Sequence, residues 1–207
     1  MIVIENDERS EYYYDYCKPS WESIGVTVNR FNAITPKVLH RQKDLKFAKY
    51  STSPKYVVRG LKVEITETER ACFYSHFRLW QESVYLNKPI LILEHDCILQ
   101  DPSKLWCNNL YGITFYDRAA MGSYVIQPWF AKDLIEHMYG VEISNGPYSH
   151  IEKFAFQNNR MKELVNVKHD LFIPASDQVM SVKYGGTIDH YSNDKDEYKK
   201  HDFVMIP

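Results

Sequence analysis

The chain opens with a short apolar run, Ile2-Val3-Ile4, followed by the polar turn Glu5-Asn6-Asp7-Glu8-Arg9-Ser10. The next stretch predicts a helix over residues 11–23 that carries Tyr12, Tyr13, Tyr16 and Trp21 toward a core. Gly25 breaks that pattern, and Val26-Thr27-Val28-Asn29-Arg30-Phe31 alternates as a strand does. Strand, helix, strand is the opening of a parallel α/β sheet. Residues 34–60 are irregular and basic, with Pro36 and Pro54 as breakers, and are expected to form a loop or a short helix.

A second helix is announced by Thr66-x-x-Glu69, a capping box in which hydroxyl and carboxylate satisfy free backbone N–H groups. It is expected to run to about Tyr85. Phe73, Phe77, Trp80 and Val84 recur along it at helical spacing and form one apolar face. After Asn87-Lys88-Pro89 comes Ile90-Leu91-Ile92-Leu93, a continuous apolar run of the kind found in strands covered on both faces, which ends abruptly in Glu94-His95-Asp96. A further strand is expected at Ser123-Tyr124-Val125-Ile126, closed by Pro128, with a helix from about Phe130 to Met138. These elements predict an α/β chain with a mostly parallel central sheet flanked by helices. One domain is expected over residues 1–188, followed by a charged tail or flap over 189–207.

Composition adds an aromatic load of 16 Tyr, 10 Phe and 4 Trp, which suits planar binding surfaces as well as plain packing. No apolar run is long enough to span a bilayer, and the first residues lack the basic region and apolar core of a signal peptide, so a cytoplasmic protein is expected. Cys17, Cys72, Cys97 and Cys107 show no Cys-x-x-Cys spacing, which indicates neither a zinc site nor a disulfide framework. The formal charge of −2 is unevenly spread. Between Lys37 and Lys62 eight Lys or Arg stand against Asp44 alone, a balance of +7 that leaves −9 for the rest. That asymmetry points to a polyanionic partner or a phosphate-rich ligand.

In open α/β sheets ligands bind beyond the carboxyl ends of strands, where this chain places Glu94 and Asp96. If the strand continues through them, both carboxylates point to one side and can hold Mn²⁺ or Mg²⁺ through hard oxygens. The plainer account is an acidic turn capping a strand. Asn6 and Arg9 follow the first strand, a natural place to contact nucleotide phosphates, although an exposed Arg needs no special role. His76, beside Ser75 on the capped helix, either reaches the site or hydrogen-bonds within the core.

Two ungapped stretches resemble a known family. Ile65-Thr66-Glu67-Thr68-Glu69-Arg70-Ala71-Cys72-Phe73-Tyr74-Ser75-His76-Phe77-Arg78-Leu79-Trp80 is similar to the Leu-Thr-Pro-Gly-Glu-Ile-Gly-Cys-x-x-Ser-His-x-x-x-Trp signature of glycosyltransferase family 25, the lipooligosaccharide and collagen galactosyltransferase family. Lys88-Pro89-Ile90-Leu91-Ile92-Leu93-Glu94-His95-Asp96 resembles that family's Lys-Pro-Ile-Leu-Ile-Leu-Glu-Asp-Asp. Glu67 and Thr68 replace the usual Pro-Gly, and His95 replaces the central acid. Weaker similarity extends over residues 2–180.

The resemblance implies a GT-A-like fold, a nucleoside-diphosphate sugar donor bound through Asn6, Arg9, Glu94 and Asp96, and displacement at the anomeric carbon, generally with inversion. Inversion needs a base opposite the leaving diphosphate. Asp177 lies where the family places an acid after a proline, although Ser176 or Asp177 equally suits a helix N-cap. His190 matches the further metal ligand found late in such chains, while a lone His is more often structural.

The acceptor is not fixed by fold or donor. In the basic window Phe47, Tyr50 and Tyr56 interleave with Arg41, Lys43, Lys46 and Lys49, a composition that suits a nucleic-acid surface. The expectation leans to a DNA glycosyltransferase of bacteriophage type acting on hydroxymethylcytosine. The alternatives are a lipooligosaccharide core enzyme, whose phosphorylated acceptor would attract the same charge, and an inactive DNA- or glycan-binding protein of the same fold.

Overall fold

The computed structural model describes residues 1–39, 49–50, 56–58, 61–63, 66–99, 112–116, 122–138, 142–143, 151, 154, 165–166 and 179–181. Strand β1 (Ile2–Val3) pairs in parallel with β2 (Phe31–Asn32), Ile2 opposite Phe31. Helix α1 (Glu8–Glu22) connects them, so the expected strand-helix-strand opening is present. The alternation in residues 26–30 does not become a strand; β1 is two residues long, and ahead of it the Met1 amine donates to the Asn29 carbonyl at 2.7 Å.

The inward stripe of α1 is Ser10, Tyr13, Tyr14, Cys17 and Trp21. Tyr12 and Tyr16, expected in the core, are 57% and 47% exposed and stack on each other at 6.3 Å. Residues 13, 17 and 21 are spaced by four and share one helix face, which leaves 12 and 16 on the flank. Asp7 caps the helix by accepting from the Ser10 N–H at 2.8 Å.

The stretch 34–60 is more structured than expected. It holds helix α2 (Pro36–Leu39), β3 (Lys49–Tyr50) and β4 (Tyr56–Val58), and β4 pairs antiparallel with β5 (Leu61–Val63). Only two residues, Arg59 and Gly60, separate β4 from β5, a spacing typical of hairpins.

Helix α3 (Glu67–Leu86) carries the predicted capping box: the Thr66 hydroxyl accepts from the Glu69 N–H, and the Glu69 carboxylate accepts from the Thr66 N–H. Asn87 closes it in the left-handed region at φ 50°, a conformation Asn tolerates better than most residues. Phe73, Phe77 and Trp80 are fully buried, and Val84 packs at the edge of the same cluster.

Strands β6 (Ile90–Leu93), β8 (Ile113–Phe115), β9 (Ser123–Ile126) and β11 (Val165–Asn166) form a sheet in the order β11-β8-β9-β6. Here the sequence expectation needs correction. β9 runs antiparallel to both β6 and β8, and only β8 and β11 are parallel within this sheet. A continuous apolar run reports that both faces are covered, not which way the neighbouring strand runs. A parallel bridge between Ile2 and Glu94 also lays β1 beside the end of β6.

Both sheet faces are covered. Ile92, Tyr124 and Ile126 point into a cluster built with α3 and with α4 (Pro128–His137). Leu93 and Val125 point into a second cluster built with Tyr14, Cys17 and Trp21 of α1. Strand β7 (Cys97–Leu99) joins that side, since the Trp21 Nε1–H donates to the Cys97 carbonyl at 2.8 Å. β7 also pairs antiparallel with β12 (Val179–Ser181), and β3 pairs in parallel with β10 (Glu142–Ile143). Among the described residues no helix is long and apolar enough to cross a membrane.

Candidate functional site

The end of β6 is shaped by three hydrogen bonds. The Glu94 N–H and the Cys97 S–H both donate to the Gly122 carbonyl, at 2.7 and 2.8 Å, and the Cys97 N–H donates back to the Glu94 carbonyl at 3.2 Å. The last bond closes a β-turn with His95 and Asp96 at its centre. The strand therefore does not continue through the acidic triplet, and the geometric premise for two carboxylates on one side is replaced by a turn.

Glu94 keeps the face dictated by strand alternation. Ile90 and Ile92 face α3, and two residues on the Glu94 Oε1 lies 3.4 Å from the His76 Nε2 of that helix. The His76 side chain is 1% exposed and that of Glu94 36%, so the pair reaches from the core to the surface. Behind it, His76 Nδ1 is 2.8 Å from the Tyr124 hydroxyl, which also accepts from the Trp80 Nε1–H at 2.8 Å. The hydroxyl has one proton and two lone pairs. It can donate to Nδ1, which leaves Nε2–H toward Glu94, or accept from Nδ1–H, which leaves the Nε2 lone pair there. Burial holds the Tyr124 phenol well above its usual range, a tendency the Trp80 donor partly opposes. His76 thus contacts Tyr124 within the core and approaches Glu94 with its other nitrogen.

Asp96 belongs to the other side. It is buried at 4% exposure, and its charge is felt by Tyr13 and Cys17 of α1. Burial raises the Tyr13 phenol, with the guanidinium of Arg9 opposing and Asp96 adding a smaller push. Cys17 is pushed up to about 12, first by burial and then by Asp96. The Cys72 thiol on α3 is likewise raised by burial, then by Glu94 and Glu69. Each carboxylate of the triplet therefore faces a protonated thiol on its own helix. Between them His95 is 6% exposed, its ring 6.3 Å from that of Tyr13, and its Nε2 has no hydrogen-bond partner among the described residues.

Arg9 and Asp96 both act on the Tyr13 phenol, in opposite directions. Asn6 lies in the turn just before α1 with φ 59°. Its backbone and Arg30 hold the Glu11 carboxylate below its usual range, Arg30 contributing most. Asp177, His190, Arg41, Lys43 and Lys46 lie outside the described residues, and Lys49 and Tyr50 are described only as the backbone of β3. Cys72, Tyr124, Tyr13 and Cys17 were not singled out as site residues from sequence. The i, i+4 spacing of Cys72 and His76 was the available signal, and a search for Cys-x-x-Cys passes over it.

Residues 2–111 match the model of glycosyltransferase family 25, described as an LPS biosynthesis protein. The chain belongs to this family. The matched stretch contains both helices that flank the acidic turn and the turn itself. No curated protein matches the chain. Membership in glycosyltransferase family 25 supports glycosyl transfer as the chemistry.

Proposed function

We propose that this protein transfers a sugar from a nucleoside-diphosphate donor to an acceptor hydroxyl, with the donor bound at the Glu94-His95-Asp96 turn. The observation that carries the reading is the family match over 2–111, which includes a partly exposed carboxylate, Glu94, at the end of β6 beside a buried histidine. Arg9 is the residue for the diphosphate. The N-terminus of α1 is less suited to it, because Asp7 already caps one N–H and Glu8 and Glu11 place negative charge in the first turn.

A divalent cation suits this donor set. Glu94 makes no hydrogen bond to His76 at 3.4 Å and is open to solvent, so its oxygens are available. Glu94 is the residue that would hold Mn²⁺ or Mg²⁺, with His190 as a further ligand and Asp96, turned toward α1, adding negative charge behind it, and the ion would supply charge against the leaving diphosphate. The chain's own part is to fix those carboxylates and to offer Asp177 as the base for an inverting transfer.

The family description favours a saccharide of the lipopolysaccharide type as acceptor. The basic window from Lys37 to Lys62 suits the phosphates such a core carries. The same window supports a second reading, hydroxymethylcytosine in DNA. Both are tested by offering truncated lipooligosaccharide and hydroxymethylcytosine DNA side by side with a mixed pool of nucleotide sugars and Mn²⁺. Transfer to the saccharide alone is expected. Transfer to DNA would reverse the choice of acceptor, and no turnover of any donor would defeat the enzyme reading.

A further inference from the structure

We infer that Cys72, His76 and Glu94 form a binding site for a thiophilic divalent cation of the Zn²⁺ class, distinct in ligand chemistry from the hard-cation site proposed for the donor. Cys72 and His76 stand one turn apart on α3 and so share a face. Glu94 reaches them from the end of β6. One sulfur, one ring nitrogen and one carboxylate oxygen lie within 4.8 Å of one another, and among the described residues this trio alone is gathered so closely. Ligand atoms around tetrahedral zinc stand about 3.3 to 3.6 Å apart, so a contraction of about 1 Å closes the site.

A second observation points to the same ion. His76 Nε2 is buried and makes no hydrogen bond among the described residues, while its other nitrogen is held by the Tyr124 hydroxyl. That is the arrangement of a metal-binding imidazole, whose far N–H is fixed by a hydrogen-bond acceptor behind it. Tyr124 can accept from Nδ1–H with one lone pair and from Trp80 with the other, which turns the Nε2 lone pair toward Cys72 and Glu94.

Sulfur and imidazole select zinc-like ions over Mn²⁺ or Mg²⁺. Three protein ligands leave a fourth position, and the exposure of Glu94 turns that position to solvent. On binding, the Cys72 S–H bond breaks, sulfur bonds to the ion as thiolate, and the proton leaves to solvent. Asp96 is outside the trio, so the two cation chemistries share only Glu94.

Co²⁺ added to metal-free protein in the absence of any nucleotide sugar tests the site. The expected result is a sulfur-to-cobalt charge-transfer band in the near ultraviolet, with the intense visible bands of a tetrahedral ion. Cys72→Ser and His76→Gln should abolish the charge-transfer band, and Tyr124→Phe should weaken Co²⁺ binding about 10- to 100-fold. Cys17→Ser, Cys107→Ser and Asp96→Asn should keep the band. No charge-transfer band in the wild type, or one that survives Cys72→Ser, overturns the site. Circular dichroism of each variant separates lost ligation from lost folding, and Cys72→Asp, which restores a ligand without sulfur, should bind Co²⁺ with no charge-transfer band. Sugar transfer without the band would defeat this inference and leave the proposed function standing, whereas the band without transfer would do the reverse.

Discussion

Helices α1 and α3 both cover the sheet, and each presents a buried tryptophan, a thiol and a contact to one carboxylate of the same turn. They differ in what surrounds that carboxylate. On the α3 side Glu94 meets an imidazole whose orientation is set by Tyr124 and Trp80, a chain of polar atoms running from the core to the surface. On the α1 side Asp96 is shut in against Tyr13 and Cys17. A β-turn of two central residues is enough to send acids only two positions apart to opposite faces of a sheet. A carboxylate-x-carboxylate triplet therefore reads as a paired site only when the backbone through it stays extended.

The comparison can be broken most forcefully at the two tryptophans. Trp80→Ala and Trp21→Ala should each lower unfolding free energy by about 3–5 kcal/mol in urea titrations, the usual cost of emptying a buried aromatic site. Both side chains are fully buried and both Nε1–H groups are bonded. If Trp21 proved much cheaper, α1 would be a loosely attached element and not the second wall of the site.

Next comes the division between the acids. Asp96→Asn should reduce transfer from a nucleotide sugar by about 100-fold or more, on the scale of losing one preorganised electrostatic group. Glu94→Gln should do the same and, unlike Asp96→Asn, also change the behaviour of His76, visible in the NMR resonances of its ring. A His76 spectrum equally perturbed by both changes would erase the assignment of one acid to each helix.

Tyr124→Phe sharpens the α3 side by removing one hydroxyl and no volume. It strands the Trp80 N–H and the His76 Nδ1 in the core, at a cost of about 1–3 kcal/mol by chemical denaturation. The α1 side contains no equivalent junction among the described residues, so Tyr14→Phe there should be nearly neutral. Below these effects lie the caps. Thr66→Ala and Asp7→Ala should each cost about 1 kcal/mol, since each side chain satisfies one free N–H at its helix start.

What could be read from sequence followed the same divide. On α3 the apolar residues at 73, 77, 80 and 84 lie on one face, so periodicity was enough to read the helix and its buried stripe, and Thr66-x-x-Glu69 its cap. On α1 tyrosines occupy 12, 13, 14 and 16, more than half the circumference of the helix, so aromatic identity carries no directional signal. The small residues Ser10 and Cys17 mark its inner face, and their size hides them from a hydrophobic pattern. The apolar run at 90–93 gave the position and burial of β6 but not the direction of β9, because strand orientation depends on connections distant in sequence. The acidic turn was legible as residues and illegible as geometry, since two of the three bonds that shape it go to Gly122, distant in sequence.

The smallest expected effect tests that account of α1. Tyr12 and Tyr16 stack on each other at the surface, 57% and 47% exposed, and belong to neither buried cluster. Replacing both with Ser removes one exposed stacking contact and little buried area, so the change in stability should stay within about 0.5 kcal/mol. Tyr13, between them in sequence, is buried against the His95 ring and beside Arg9. Tyr13→Ser should cost several times more and weaken donor binding as well, because it removes the wall that holds Arg9 and Asp96 together. Two neighbours on one helix, chemically identical in sequence, would then differ by stability and by function. A double Tyr12→Ser, Tyr16→Ser variant as unstable as Tyr13→Ser would mean that α1 is rotated on the sheet, and with it the placement of Asp96 would fall.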